Sequence, residues 1–407
     1  MKNLEEHLVK VNLKVLRKDI MDNRIKISNS EYLQRILRCA VLAGKNDIDV
    51  VIANSNEADF ANVRYFSGFW PLFEVGGVAI AANGKAALMV GPESQEFAES
   101  WSPIKNIHRM REYRESADPQ FPGGGFNTFA DVFESIGVKN PKKIGIAGWL
   151  VTSVDLYQSI QKAFPSAEIV KADNIVTELR QIKSEAEIAC LKEAFRISEI
   201  AVDAVLGKIK LGMTELQAVG IAQQAIYENG GEYEAHALYL FGGNNTNNAI
   251  SRPRYNIIEK GKIIQLNLGA RYCGYSPSIG IPFCIGKMNV RQKELVQFGL
   301  DAHFKTREWL RAGIVAGEVA KKFEVYFKEK GYAANYLYGP CHGLGMLEVE
   351  KPWIETTSEY KLQENMTFQV DTFVRDKEFG LRWETGAVIK KNGIELLSDK
   401  IKGIVEL

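Results

Sequence analysis

Residues 368–374, FQVDTFV, and 381–389, LRWETGAVI, alternate apolar with polar positions, the period-two pattern of strands that bury one face. Read as neighbouring strands, they put Asp371 and Glu384 on a shared face. Buried carboxylates are expensive unless protonated, paired or bound to a cation. Arg382, two residues before Glu384, points the same way and can serve, with Arg252 and Arg254 as further candidates. A guanidinium, amidinium or ammonium group on a ligand would serve equally well, so the residues suggest a cationic or amidine-like ligand.

Upstream, Cys341-His342-Gly-Leu-Gly345 places a histidine at a glycine-rich strand end, where a ligand can approach closely. His342 is therefore read as a general acid/base or ligand residue, while Cys341 points to the opposite face. Apolar residues at helical spacing run through LRQIKSEAEIACLKEAFRISEIAVDAVLGKI from Leu179, with Ser184 as N-cap. Gly212-Met-Thr-Glu215 opens a further helix, another is expected near 290–312, and strands close the chain. Before this, residues 48–53, 76–82, 85–91 and 142–148 read as buried strands, with Asn83-Gly84 as a hairpin turn and helices at 128–136 and 153–163. The expected architecture is an α/β domain over 1–173, opening on an amphipathic helical extension, followed by a second domain over 174–407. The segment from Pro119 to Gly125 reads as a surface loop, since no strand leads into it as a phosphate cradle requires.

With 46% apolar and 25% charged residues in 407, the chain can bury its cores without disulfides or structural metal. Its five cysteines are scattered and form no CxxC, which fits a reducing cytoplasm. The first twenty residues lack the apolar run of a signal peptide, and no stretch is long enough to span a bilayer. Balanced charge, 51 basic against 50 acidic residues, gives no field for nucleic acid or anionic lipid. A small-molecule partner is expected.

Several segments resemble the creatinase/prolidase family. They are Arg180-Gln-Ile-Lys183-Ser-Glu185-Ala-Glu187-Ile188, Asn267-Leu-Gly-Ala-Arg-Tyr-Cys-Gly-Tyr275, the His342 segment with Glu350 and Pro352, the strands of Asp371 and Glu384, and Asn62-Val-Arg-Tyr65-Phe-Ser-Gly68-Phe. The resemblance implies an α/β N-terminal domain plus an α+β pita-bread C-terminal domain, and a homodimer in which Arg64 and Trp70 reach towards a neighbour's pocket. In the metallopeptidase branch, a pair of ions is held by two Asp, one His and two Glu. Mapped by spacing, the aspartates fall on Asn267 and, eleven residues later, Ser278, whereas His342 and Glu384 are kept and the other glutamate is shortened to Asp371. Two family histidines fall on Ile250, seventeen residues before Asn267, and Val349, seven after His342.

With two of four carboxylates gone, attraction for a second hard dication is lost. Creatinase and ectoine hydrolases resemble the chain in dispensing with metal. The leading expectation is a metal-independent hydrolase of a non-peptide C–N bond, without cofactor, in which His342 handles protons and Asp371 and Glu384 hold a cationic, amidine-like or cyclic amide substrate. Asn267, Ser278, Glu350, Arg382, Asn248, Arg252, His236, Trp70 and Arg64 are the candidate substrate contacts, with His236 a stand-in for the missing base. Two alternatives stay open: a single-metal, aminopeptidase- or dipeptidase-like hydrolase or lyase with His342, Asp371 and Glu384 as ligands, and a non-catalytic binding protein.

Overall fold

The computed structural model describes residues 24–407, so the amphipathic start expected over the first twenty lies outside the described residues. The first unit contains helices α1 (Asn29–Lys45), α2 (Ala61–Ser67), α3 (Gln95–Trp101), α4 (Phe129–Ser135), α5 (Val154–Ala163) and α6 (Asp173–Gln181). Its strands are β1 (Val50–Ser55), β2 (Gly76–Ala81), β3 (Ala86–Val90), β4 (Ile107–Arg109), β5 (Lys143–Ala147) and β6 (Glu168–Lys171). They form one sheet in the order β4-β3-β2-β1-β5-β6. The β2–β3 hairpin turns at Gly84, whose φ of 87° is cheap only for glycine. α6 packs on α1 and β5 and buries Ile175, Val176 and Leu179.

The second unit opens with α7 (Glu185–Lys208). Its Ser184 hydroxyl accepts from the Glu187 amide, and the Glu187 carboxylate accepts from the Ser184 amide. Then come α8 (Glu215–Glu228), the short strands β7 (Tyr233–Glu234) and β8 (Tyr239–Gly242), and β9 (Ile263–Leu268), β10 (Ala270–Arg271) and β11 (Ile279–Cys284). Helices α9 (Val290–Trp309) and α10 (Ala316–Glu329) precede β12 (Cys341–Gly343), β13 (Glu350–Ile354), β14 (Thr367–Arg375), β15 (Gly380–Lys390), β16 (Gly393–Leu396) and β17 (Val405–Glu406). The main sheet runs β13-β12-β14-β15-β11-β9-β8, with β16 on β15 and β17 on β11, and β10 pairs β7 separately. This is the α+β pita-bread layout, with helices packed against one large sheet.

Asp371 and Glu384 stand directly opposite each other in the β14–β15 register, so both point away from α9. Trp383 points the other way and donates its indole N–H to the Val296 carbonyl on α9. Gly280 of β11 pairs with both Glu384 and Asn267. A Cβ there would lie 2.6 Å from Asn267 Nδ2 and 2.8 Å from Glu384 Cβ, so glycine lets three strands converge under the site.

Candidate active site

Buried His342, Asp371 and Glu384 converge where β12, β14 and β15 meet, with half-buried Glu348 and Arg382 beside them. The His342 Nδ1 lies 3.1 Å from the Gly343 carbonyl, a contact that only an N–H on that nitrogen can make favourable. Nε2 is thereby aimed at three carboxylates: Glu348 Oε1 at 3.5 Å, Glu384 Oε1 at 3.6 Å and Asp371 Oδ2 at 4.0 Å. Arg382 Nε stands 3.2 Å from Asp371 Oδ1, while its Nη2 donates to the Ala249 carbonyl and to the Tyr338 hydroxyl.

The electrostatics follow from crowding in a dry place. Burial disfavours the imidazolium, but Glu348, Glu384 and Asp371 outweigh it and hold His342 at about 9. Burial and the neighbouring Glu384 push Glu348 well above the usual carboxylate range. Glu384 goes the other way: against its burial, the His342 hydrogen bond and the Arg382 charge keep it low. Three carboxylates thus face one permanent cation and one imidazole, which leaves surplus negative charge unless a proton or a cation joins them.

The other oxygen of Glu384 has neutral partners. Its Oε2 accepts from Asn267 Nδ2 at 2.6 Å and from the Ser278 hydroxyl at 3.0 Å. Asn267 Oδ1 accepts in turn from Gln265 Nε2 at 2.7 Å, and His236 Nε2 lies 3.2 Å from Ser278 Oγ. His236 Nδ1 is 2.7 Å from the Ala237 carbonyl, and burial lowers the histidine below its usual range. A neutral His236 that donates from Nδ1 has only a lone pair at Nε2, so His236 and Glu384 compete for the single Ser278 hydroxyl proton.

Some expected residues do not reach this centre. Glu350 is spent on an ion pair with Arg180, with Lys183 at 3.9 Å, and accepts the Leu347 amide at 2.9 Å. It is therefore an anchor of the 344–350 loop rather than a substrate contact. Asn248 donates to Asn245 Oδ1 in an exposed turn. Arg64 pairs with Glu232 at 2.7 Å and lies 5.1 Å from the Trp70 ring. Trp70, Arg252 and His236 line a cavity of about 750 Å³ that also includes Glu348 and Arg271. Asn267 and Ser278 are committed to Glu384 rather than open to a ligand.

Glu348, Tyr338 and Arg271 were missed from the sequence. Glu348 lies in Leu347-Glu-Val-Glu350, beside the Val349 position to which family spacing leads. The doubled acid was the available signal.

Among the described residues, a metal fits in one place. His342, Glu348 and Glu384 offer ligand atoms within 4.8 Å of one another, and Asp371 Oδ1 is buried without a hydrogen bond beside them. Glu348, not Asp371, thus completes the trio, because Arg382 holds Asp371 aside. A second ion does not fit, since its side is occupied by neutral Asn267 and Ser278.

Comparison with known proteins matches residues 35–182 to the Creatinase/Prolidase N-terminal domain and 189–391 to Metallopeptidase family M24. The chain is 27% identical over 367 residues to an Xaa-Pro dipeptidase of Pyrococcus furiosus, covering 90% of this chain and 97% of that one. A creatinase of a Bacillus species is 23% identical over 331 residues, covering 79% and 76%. The crystal structure of the prolidase from Pyrococcus horikoshii superposes with a TM-score of 0.78 at 25% identity, covering 91% of this chain and 99% of that one. The expectation of metal-independent, creatinase-like chemistry without cofactor is overturned by the metallopeptidase match and by the fuller coverage of the dipeptidase. Loss of two ligands had been read as loss of metal, whereas Glu348 supplies a carboxylate from an unexpected position. With the N-terminal domain and the metallopeptidase domain both in place, the chain belongs to the creatinase/prolidase family.

Proposed function

We propose that the chain is a single-metal hydrolase of peptide-type C–N bonds in small substrates such as Xaa-Pro dipeptides. The observation that carries this reading is the convergence of His342, Glu348 and Glu384 ligand atoms within 4.8 Å beside Asp371, where one dication with a neutral imidazole would take the place of the protons that otherwise balance the carboxylates. His342, Glu348 and Glu384 would hold the ion. Such an ion supplies Lewis-acid polarisation of a carbonyl and makes water a stronger nucleophile. Asp371, aimed at the same space and oriented by Arg382 and Tyr338, is placed to take a proton from water and pass it to the leaving nitrogen. The cavity of about 750 Å³ suits a small molecule.

Among the described residues no helix is long and apolar enough to cross a membrane. The homodimer implied by the family likeness, and a cytoplasmic setting, are part of this proposal. One observation favours a second reading, binding without turnover: exposed Ile250 and Val349 stand where the family's histidines are expected. Metal analysis after loading with Mn²⁺ or Zn²⁺, paired with turnover of a dipeptide panel, decides the matter. One equivalent and chelator-sensitive turnover are expected. No bound metal and no turnover of any dipeptide would sink the hydrolase, and binding without turnover would install the second reading.

A further inference from the structure

Glu348 sits on a loop, whereas His342 and Glu384 sit on strands. β12 ends at Gly343 and β13 begins at Glu350, and the register slips between His342 and Gly343, so the ladder does not set residues 344–349. Among the described residues, Glu350 is the only side chain that accepts from a backbone amide of residues 345–349, its Oε1 taking the Leu347 N–H at 2.9 Å. The loop folds closely over that carboxylate, since a Cβ on Gly345 would lie 2.7 Å from Glu350 Oε2. Glu348 has no ion-pair partner of its own among the described residues besides His342, at 3.5 Å.

Glu350 is held in turn from the first unit. Arg180, in the last turn of α6, donates from Nη2 to Glu350 Oε1 and from Nη1, at 2.9 Å, to Asn62 Oδ1 on α2. Asn62 Nδ2 donates to the Asn54 carbonyl on β1 at 3.3 Å, which ties the path to the first sheet. Lys183 brings a second cation to 3.9 Å from Glu350 Oε2. The side chains of Arg180, Lys183 and Glu350 are 13%, 2% and 4% exposed, so removing one partner leaves charge in a dry place. Burial raises the Glu350 carboxyl, but Arg180 and Lys183 outweigh it and keep the group below its usual range.

We infer that Arg180 and Lys183 are positioning residues that act through Glu350 on the loop of Glu348, so the contact between the two units sets how firmly a cation is held. This rests on the single-ion reading above. Two cations fix the Glu350 carboxylate, Glu350 fixes the Leu347 amide, and Leu347 adjoins Glu348, whose carboxylate has to stay within 4.8 Å of the His342 and Glu384 ligand atoms.

Calorimetric titration with Mn²⁺ compares wild type, Arg180→Met, Glu348→Gln and the double variant. Arg180→Met is expected to weaken Mn²⁺ binding by about tenfold when Glu348 is present and by less than about twofold once Glu348 is replaced, because the path ends at that residue. An unchanged affinity in Arg180→Met, or an equal loss in both backgrounds, overturns the inference. Arg180→Lys keeps the charge without the fork that spans Asn62 and Glu350, so it should recover part of the loss. If Arg180→Met does not fold, Arg180→Lys is titrated in the same two backgrounds, and no loss or an equal loss overturns the inference there. Hydrogen exchange on the metal-free protein is the second arm. Amides of residues 345–349 should exchange at least about tenfold faster in Arg180→Met than in wild type, with β14 unchanged. Unchanged exchange in the loop, or equal acceleration of β14, overturns the inference. Mn²⁺ binding that Arg180→Met leaves untouched sinks the positioning role and spares the single-ion reading. No Mn²⁺ binding in wild type, with loop exchange that Arg180→Met alone accelerates, sinks the single-ion reading and spares the hold on the loop.

Discussion

Glu384 has two oxygens in two environments. On the Oε1 side stand His342, Glu348, Asp371 and Arg382, charged, crowded and short of positive charge. On the Oε2 side stand Asn267, Ser278, Gln265 and His236, a chain of amide, hydroxyl and imidazole groups that pair with one another. Had only the aspartates been lost, Oε2 would be a buried acceptor without a partner. Asn267 and Ser278 instead return two donors for the attraction they remove, so one half closes on itself while the other stays open to a cation. Counting missing carboxylates across the whole site therefore overlooks the half in which carboxylates still converge on His342.

The largest break in this contrast comes from Glu384→Gln, because that residue belongs to both halves. Metal would be lost and turnover should fall by at least about 1,000-fold, some 4 kcal/mol, checked by metal analysis and steady-state kinetics. Retained metal would show that Glu384 serves only the neutral half.

Next comes Asn267→Asp, which puts a second carboxylate against Glu384 Oε2, where Asn267 Nδ2 now donates at 2.6 Å. Without added metal it should cost about 3 kcal/mol of stability in denaturant unfolding, since the buried like charges have no counterion. The double variant Asn267→Asp, Ser278→Asp should recover stability on adding Mn²⁺ and bind a second equivalent. If it binds no second ion, neutral side chains are not what excludes one. Glu348→Gln should act only on the charged half, weakening metal affinity by about tenfold to a hundredfold. It should leave unfolding nearly unchanged, because burial and Glu384 already hold Glu348 towards its neutral form.

The two halves also differ in how much of them the sequence reveals. Strands β14 and β15 stand out because one face is buried, and their register brings Asp371 and Glu384 together as alternation requires. Ser184 announces α7 through a capping box. By contrast α10 went unread although Val319, Ala320, Phe323 and Phe327 carry its helical period, because its N-cap, Val315, offers no side-chain acceptor. Glu348 escaped for a different reason: it lies in a loop anchored by Glu350 to Arg180 and Lys183, a contact between units that spacing along one strand does not encode. The neutral half was half legible. Asn267 and Ser278 showed that carboxylates were gone, but not that their replacements bond to Glu384.

The smallest expected effect marks the edge of the charged half. Tyr338 accepts a hydrogen bond from Arg382, which in turn faces Asp371, while the Tyr338 ring stacks on Phe373 with centroids 6.0 Å apart and planes at 13°. Tyr338→Phe keeps the ring and removes only the hydroxyl. Arg382 retains the Ala249 carbonyl and Asp371 as partners, so the loss should be about 1 kcal/mol, roughly a fivefold drop in kcat. Metal stoichiometry and affinity should not move, because Tyr338 acts on the carboxylate that Arg382 holds aside from the ligand trio. Kinetics at saturating metal, set beside a metal titration, tests both statements. If Tyr338→Phe weakens metal binding as much as Glu348→Gln does, Asp371 belongs among the ligands and the line between ion holder and proton carrier has to be redrawn through it.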